Sequence, residues 1–228
     1  IKGTFGILGN IVNTLYIIVI TLMIAVPVGV GSAIYLNEYA KPGRLVRSIE
    51  FTTEILSGIP SIIFGLFGMV VFGKVLGLSY SVLTGSFTLT LMVLPLITRN
   101  TQEALRTVPD SYRSGALGIG ATKWYMIRTI LLPSAAPGIL TGIILSVGRI
   151  VGESAALLFT AGSDFRLPRN LFSKLFESSG TLTIQLYLSM QKAKYDQAFG
   201  IAVVLLVIVL GINLLARFVT KKFGTAKQ

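Results

Sequence analysis

The chain has 228 residues, 53% of them hydrophobic and only 13% charged, with a mean hydropathy of +0.78 and a formal charge of +11. A soluble domain of this size rarely carries so little charge. The lack of cysteine and histidine excludes disulfides, thiolate chemistry, the usual zinc sites and the nucleophile–base pairs of common hydrolases.

Read in chain order, apolar runs approach or exceed the ~20 residues that cross about 30 Å of hydrocarbon as helix. Five spans are expected, at about 11–36, 57–78, 81–98, 135–162 and 198–219. The run at 201–216 has none of the alternation of a membrane strand, and inside hydrocarbon helices satisfy their own backbone, so the fold class is an all-α polytopic transmembrane bundle. Pro27, Pro60 and Pro95 fall in or beside the spans, where a bundle tolerates kinks. No tandem repeat or low-complexity linker is visible, so residues 1–228 read as one membrane domain.

The basic residues set the orientation. Segment 37–50 carries Lys41, Arg44 and Arg47, segment 99–134 carries Arg99, Arg106, Arg113, Lys123 and Arg128, and the tail carries Arg217, Lys221, Lys222 and Lys227. Five alternating spans put these twelve cations on one side. The other side receives seven: Lys2, Lys74, and Arg166, Arg169, Lys174, Lys192 and Lys194 of a loop at about 163–197 that also holds Asp164 and Glu177. The bias places the C-terminus in the cytoplasm and the N-terminus outside. It also accounts for the net charge without any nucleic-acid partner. An outside N-terminus beginning at Ile1 suggests a missing upstream span. The outer loop is long enough to carry a helix.

Nucleotide motifs fail. Gly68 to Lys74 fits the start of a phosphate-binding loop, but Val75 stands where a Ser or Thr must hold magnesium; Gly118-x-Gly120 lacks its third glycine, since Lys123 occupies that place. If ATP drives this protein, another chain binds it.

The loop at about 99–134 is the most informative stretch. Pro109, Asp110 and Ser111 make a helix start, and Gly120 can end the helix with a positive φ. An amphipathic helix at the headgroups, anchored by Trp124 and Tyr125, is the plainer reading. The spacing Ser114-Gly115-Ala116, three residues, Gly120, nine residues, Ile130-Leu131-Leu132-Pro133 resembles the cytoplasmic signature of bacterial ABC-importer permeases, with Ser114 in place of the usual glutamate and Gly115 in place of the first alanine. Ile59 to Gly68, Gly152 to Ala161 and Tyr35 to Ala40 are similar to segments of phosphate-specific permeases, the second most similar to the A-type subunit. The resemblance implies a type I importer permease in a bacterial or archaeal cytoplasmic membrane. It implies pairing with a second permease, as a heterodimer, beneath an extracytoplasmic phosphate-binding protein and above two ATP-binding subunits that hold ATP and magnesium, with no cofactor in this chain. Asp110, Arg113, Ser114, Gly115, Ala116, Gly120 and Pro133 would form the surface coupled to the ATPase, a small Ala116 letting two backbones approach.

Arg149 and Glu153 lie in the middle of the fourth apolar run, where one charge costs roughly 2.5–3.5 kcal/mol on insertion scales. Their spacing puts both on one helix face, in a stripe with Gly142, Ser146, Ala156 and Thr160. A guanidinium offers paired planar donors to a tetrahedral oxyanion, and Glu153 could hold Arg149 when the path is empty. A neutralised pair that only fastens helices is the alternative. Arg99 is an exit candidate or a snorkelling end residue; Glu54, at the start of the second span, is read the same way, with Ser57 and Ser61 as possible hydroxyl donors. Permeases for molybdate or sulfate, an ion-gradient-driven anion carrier, and a non-transporting scaffold are the rival functions. The carrier would show inverted repeats with broken helices, and these are not found in the sequence.

Overall fold

Long apolar runs free of turn signals become helices, and the computed structural model contains helix and no strand among its described residues, 6–167 and 170–224. Lys2, Arg169 and Lys227 lie outside them, as do the side chains of Arg217, Lys221 and Lys222. In chain order the helices are α1 (Leu8–Ile34), α2 (Arg44–Gly58), α3 (Ser61–Gly68), α4 (Val82–Arg106), α5 (Asp110–Gly118), α6 (Lys123–Met126), α7 (Leu132–Gly152), α8 (Ala155–Thr160), α9 (Leu171–Lys174), α10 (Leu182–Gln191) and α11 (Tyr195–Gly224). Wide π-helical turns prolong α1 over Tyr35–Tyr39 and α3 over Met69–Val75, and join α6 to α7 over Ile127–Leu131.

Four helical runs are long and apolar enough to cross a membrane: Leu8–Tyr39, Val82–Arg106, Lys123–Gly152 and Tyr195–Leu215. The pair α2–α3, with its π turn to Val75, passes the same test only when taken together and is bent by 104°, as a broken span or a re-entrant loop is. The helical bundle matches expectation, with four spans, or five if the bent pair is one, and the second, third and fourth depart most from their expected bounds. The second span is not one helix over 57–78: Pro60 forces Ile59 out of the helical region (φ −71°, ψ 131°) and lacks an N–H to carry the ladder across. The third runs on past residue 98 to Arg106, because Arg99 to Arg106 contains good helix formers that need no hydrocarbon. The fourth begins at Lys123 and stops at Gly152, not 135–162, so a broken helix is present after all.

α4 is the central helix, packed by α1, α7, α3 and α8. Small residues set these approaches, as in membrane bundles generally. A Cβ placed on Gly29 of α1 would sit 2.7 Å from Ile97, and Cβ atoms on Gly138 and Gly142 of α7 would sit 2.6 Å from Ala104 and Asn100. Gly65 lets α3 meet α8 so closely that a Cβ there would fall 2.8 Å from the Ala156 Cα. Gly65→Leu is therefore expected to cost about 1–3 kcal/mol by overpacking, read as a lowered unfolding temperature in detergent, whereas Gly31→Leu, whose Cβ meets nothing within 4 Å, should be near neutral.

The segment after α8 folds back over the start of α1. Asn10 donates to the Gly180 carbonyl (3.0 Å), Asn13 to the Asp164 carbonyl (3.1 Å), and the Leu182 N–H donates to Thr14 Oγ1 (3.0 Å). Lys174, 1% exposed, donates from Nζ to the Arg166 carbonyl (3.1 Å). Burial alone would raise the Asp164 carboxyl, but the Arg166 donors hold it below the usual carboxylate range. The long loop does carry a helix, α10.

Candidate functional site

At the cation-rich end the chain builds a fastened surface helix. Pro109 (φ −57°, ψ 141°) starts α5 and Asp110 stands in its first turn. Gly120 at φ +84° ends it as expected, letting the Ala121 and Gly120 N–H groups reach back to the Ala116 and Leu117 carbonyls (3.0 Å each).

Arg113 ties this helix down. Its Nη2 donates to Glu38 Oε1 (2.9 Å) and the Leu105 carbonyl (2.9 Å), its Nη1 to the Val108 carbonyl (2.9 Å) and Asp110 Oδ1 (3.0 Å), and its Nε to Glu38 Oε1 (3.3 Å). Glu38 is 5% exposed at the side chain and Arg113 19%. The Glu38 hydrogen bond holds the Arg113 guanidinium above its ordinary value against the opposing effect of burial. Glu38 was not among the expected site residues. It reaches α5 because α1 continues past residue 36 in a π turn closed by the Ala40 N–H on the Tyr35 carbonyl (2.8 Å).

The other loop residues divide into inward and outward. Ala116, 4% exposed, packs in a cluster with Leu105, Val108, Met126, Ile127 and Leu131. Its small size thus lets α5 close on its own chain. Ser114 Oγ donates to the Asp110 (3.2 Å) and Ser111 (3.3 Å) carbonyls, so it is satisfied within its own helix. Gly115, Tyr112, Leu117 and Ile119 are exposed, Ile119 by 87%. Pro133, lacking an N–H, sits just beyond the π turn joining α6 to α7, where the widened turn re-pairs the ladder.

The expected Arg149–Glu153 helix face does not form. α7 ends at Gly152, and Glu153 is extended (φ −80°, ψ 123°). Its carboxylate accepts from the Ala156 N–H (3.0 Å), and its carbonyl accepts from Thr183 Oγ1 (2.9 Å). Glu153 thereby joins α7, α8 and α10. Glycines at 148 and 152, followed by Glu153-Ser154 before an apolar run, are the helix-stop and helix-start signals that mark this break in the sequence. Glu153→Gln keeps the acceptor and should melt within about 0.5 kcal/mol of wild type, while Glu153→Ala loses it and should cost about 1 kcal/mol, both read by thermal unfolding.

Arg149, half-buried, makes no ion pair or hydrogen bond with any described residue. The pairings Gly138–Ala104 and Gly142–Asn100 between antiparallel helices set it level with Val93, near the middle of α4. Ser146 and Thr160 are fully buried and donate to the Gly142 (2.9 Å) and Ala156 (2.8 Å) carbonyls of their own helices. Arg99 is not beside Arg149. It is exposed on α4, some six residues or about 9 Å nearer the cation-rich end, in a cleft of about 400 Å³ between α2 and α4.

Residues 25–225 match the family described as binding-protein-dependent transport system inner membrane component. The chain is 37% identical over 228 residues to the probable ABC transporter permease protein YqgI of Bacillus subtilis, covering 93% of this chain and 77% of that one. It is 34% identical over 209 residues to the phosphate transport system permease protein PstA of Mycobacterium leprae, covering 92% and 68%. Its fold is similar to that in inward-facing structures of the MetNI methionine ABC transporter, with a TM-score of 0.70 at 22% identity over 96% of this chain and 94% of that one.

Proposed function

The chain belongs to the family of binding-protein-dependent transport system inner membrane components, and from that premise we propose that it is the membrane-spanning subunit of an ATP-driven importer of inorganic phosphate. Relatives bearing the name of phosphate permeases support the cargo. The observation that carries the reading is Arg149: a guanidinium with no charged partner among the described residues, level with the middle of the central helix. Such a group is costly unless something anionic visits it, and paired planar donors suit a tetrahedral oxyanion. Glu153, Ser146 and Thr160 hold the broken helix around it.

The protein moves its cargo without hydrolysing ATP. ATP and magnesium belong to two partner subunits, which meet the exposed face of α5 at Tyr112, Ser114, Gly115, Leu117 and Ile119. A second permease completes the path and an extracytoplasmic binding protein delivers phosphate. The cation-rich end, with α5, faces the cytoplasm, as does the end of α11.

The test is reconstitution with these partners in vesicles and measurement of ATP-dependent phosphate uptake against competing sulfate and molybdate. Uptake that prefers phosphate and stops without the ATPase supports the reading. Preference for another oxyanion moves the cargo, and uptake without the ATPase replaces the importer by a gradient-driven carrier.

A further inference from the structure

α2 is an unusual element: fifteen residues long, with no buried residue. It is bent away from α3 at Ile59-Pro60 and rests against the last turns of α4. The cleft between the two helices is lined on one wall by Arg47, Glu50 and Glu54, and on the other by Arg99, Glu103 and Arg106. Only Arg106 and Glu50 form an ion pair, at 3.4 Å. Arg47, Arg99, Glu54 and Glu103 have no ion-pair partner among the described residues. Gln102, 8% exposed, also lines the cleft, and its buried amide nitrogen finds no acceptor.

The position of the cleft matters as much as its charge. α1 packs on the face of α4 that carries Thr90 and Ile97. At about 100° per residue Arg99 and Arg106 fall on the opposite side, away from α1. Arg149 meets α4 near its middle, Arg99 stands about 9 Å lower and Arg106 about 10 Å lower again. The long side chain of arginine spans much of such a step. In depth the three guanidiniums descend from the middle of the bundle to the end where α5 lies, but Arg99 and Arg106 stand roughly 120–140° round α4 from Asn100 and Ala104, the residues that face α7.

We propose that the α2–α4 cleft is a second oxyanion station, through which a phosphate group passes on its way to the cytoplasmic side, with Arg99 as its principal donor. Arg47 and the orphan amide of Gln102 supply further donors. With three guanidiniums and three carboxylates lining it, the cleft carries no net formal charge, so phosphate is held weakly enough to leave. The 104° bend and the unburied state of α2 allow the cleft to widen and narrow at small packing cost. The station rests on the proposed function for its cargo and direction; the chemistry of the cleft does not.

The chain contains no cysteine, which makes a single probe unambiguous. Thr53 lines the cleft, and Thr53→Cys in the assembled complex, held in phosphatidylcholine vesicles, is modified with a membrane-impermeant thiol reagent from the α5 side, the product on this chain being read by mass. Inorganic phosphate at ten times its dissociation constant is expected to slow modification about tenfold. The protection should disappear in Arg99→Gln and partly return in Arg99→Lys, which keeps the charge without the planar fork. Modification indifferent to phosphate, or protection that survives Arg99→Gln, overturns the station. Protection produced by phosphatidylglycerol in the bilayer but not by free phosphate makes the ligand a lipid headgroup and overturns the exit role. Protection in a complex that imports no phosphate defeats the proposed function and leaves the station standing; phosphate import without protection does the reverse.

Discussion

Arg149→Gln is expected to lower ATP-dependent phosphate uptake by about 100-fold, the worth of two charge-assisted hydrogen bonds at roughly 1.5 kcal/mol each, while assembly and ATPase activity persist. The stability of the variant makes the result interpretable. The guanidinium has no ion-pair or hydrogen-bond partner among the described residues, so removing it leaves no orphaned carboxylate and relieves part of the cost of a charge inside the bundle. Thermal unfolding should therefore be unchanged or higher than wild type. A loss of uptake beside unimpaired stability assigns Arg149 to the anion path, and Arg149→Lys should recover only part, because an ammonium cannot present two parallel donors. Uptake retained in Arg149→Gln would sink the path.

The second large effect is expected at Glu38 and Arg113. Here a partly buried pair is also a mechanical joint, since one guanidinium binds the end of α1 through Glu38 and the end of α4 through the Leu105 and Val108 carbonyls. Breaking a fully buried pair costs about 3–5 kcal/mol; with Arg113 19% exposed about 1–3 kcal/mol is a fairer expectation. Arg113→Gln should be worse than Glu38→Gln, because it also strands two carbonyls. Both should lower the number of phosphate ions moved per ATP consumed by about tenfold, as α5 yields without carrying α1 and α4 with it. Exchanging the two residues should fail to restore coupling, since a glutamate at position 113 cannot donate to Leu105 and Val108. Parallel measurement of uptake and ATP hydrolysis decides: an unchanged ratio in both single variants means that the joint has no part in coupling.

The membrane helices were legible in the sequence because hydrocarbon allows one solution to backbone hydrogen bonding, and apolar length reports it. Gly120 was legible for a similar reason, since little but glycine suits φ +84° at a helix end. What escaped was set by tertiary geometry. Arg113 and Glu38 are 75 residues apart, beyond any local periodicity. Pro60 announces a kink, but not that the chain will turn by 104° and leave α2 unburied. At Glu153 the four-residue spacing from Arg149 was taken as a helical repeat, whereas the flanking glycines and Ser154 end one helix and begin another. That Ala116 closes one face of α5 on Leu105 and Met126 is likewise a matter of tertiary packing.

The wide turns at Tyr35–Tyr39 and Ile127–Leu131 lie beside the two helices on which α5 rests. A π turn holds one residue more than the α turn it replaces, so each acts as a slack thread in a screw. If the surplus residue is passed along the helix, everything beyond it revolves by about 100° and advances by about 1.5 Å, with hydrogen bonds exchanged rather than lost. At Ile127–Leu131 that exchange is blocked by Pro133 just beyond and by the close fit of Gly138 and Gly142 on α4, so a push arriving at this end is passed to α7 as a whole instead of being absorbed as torsion.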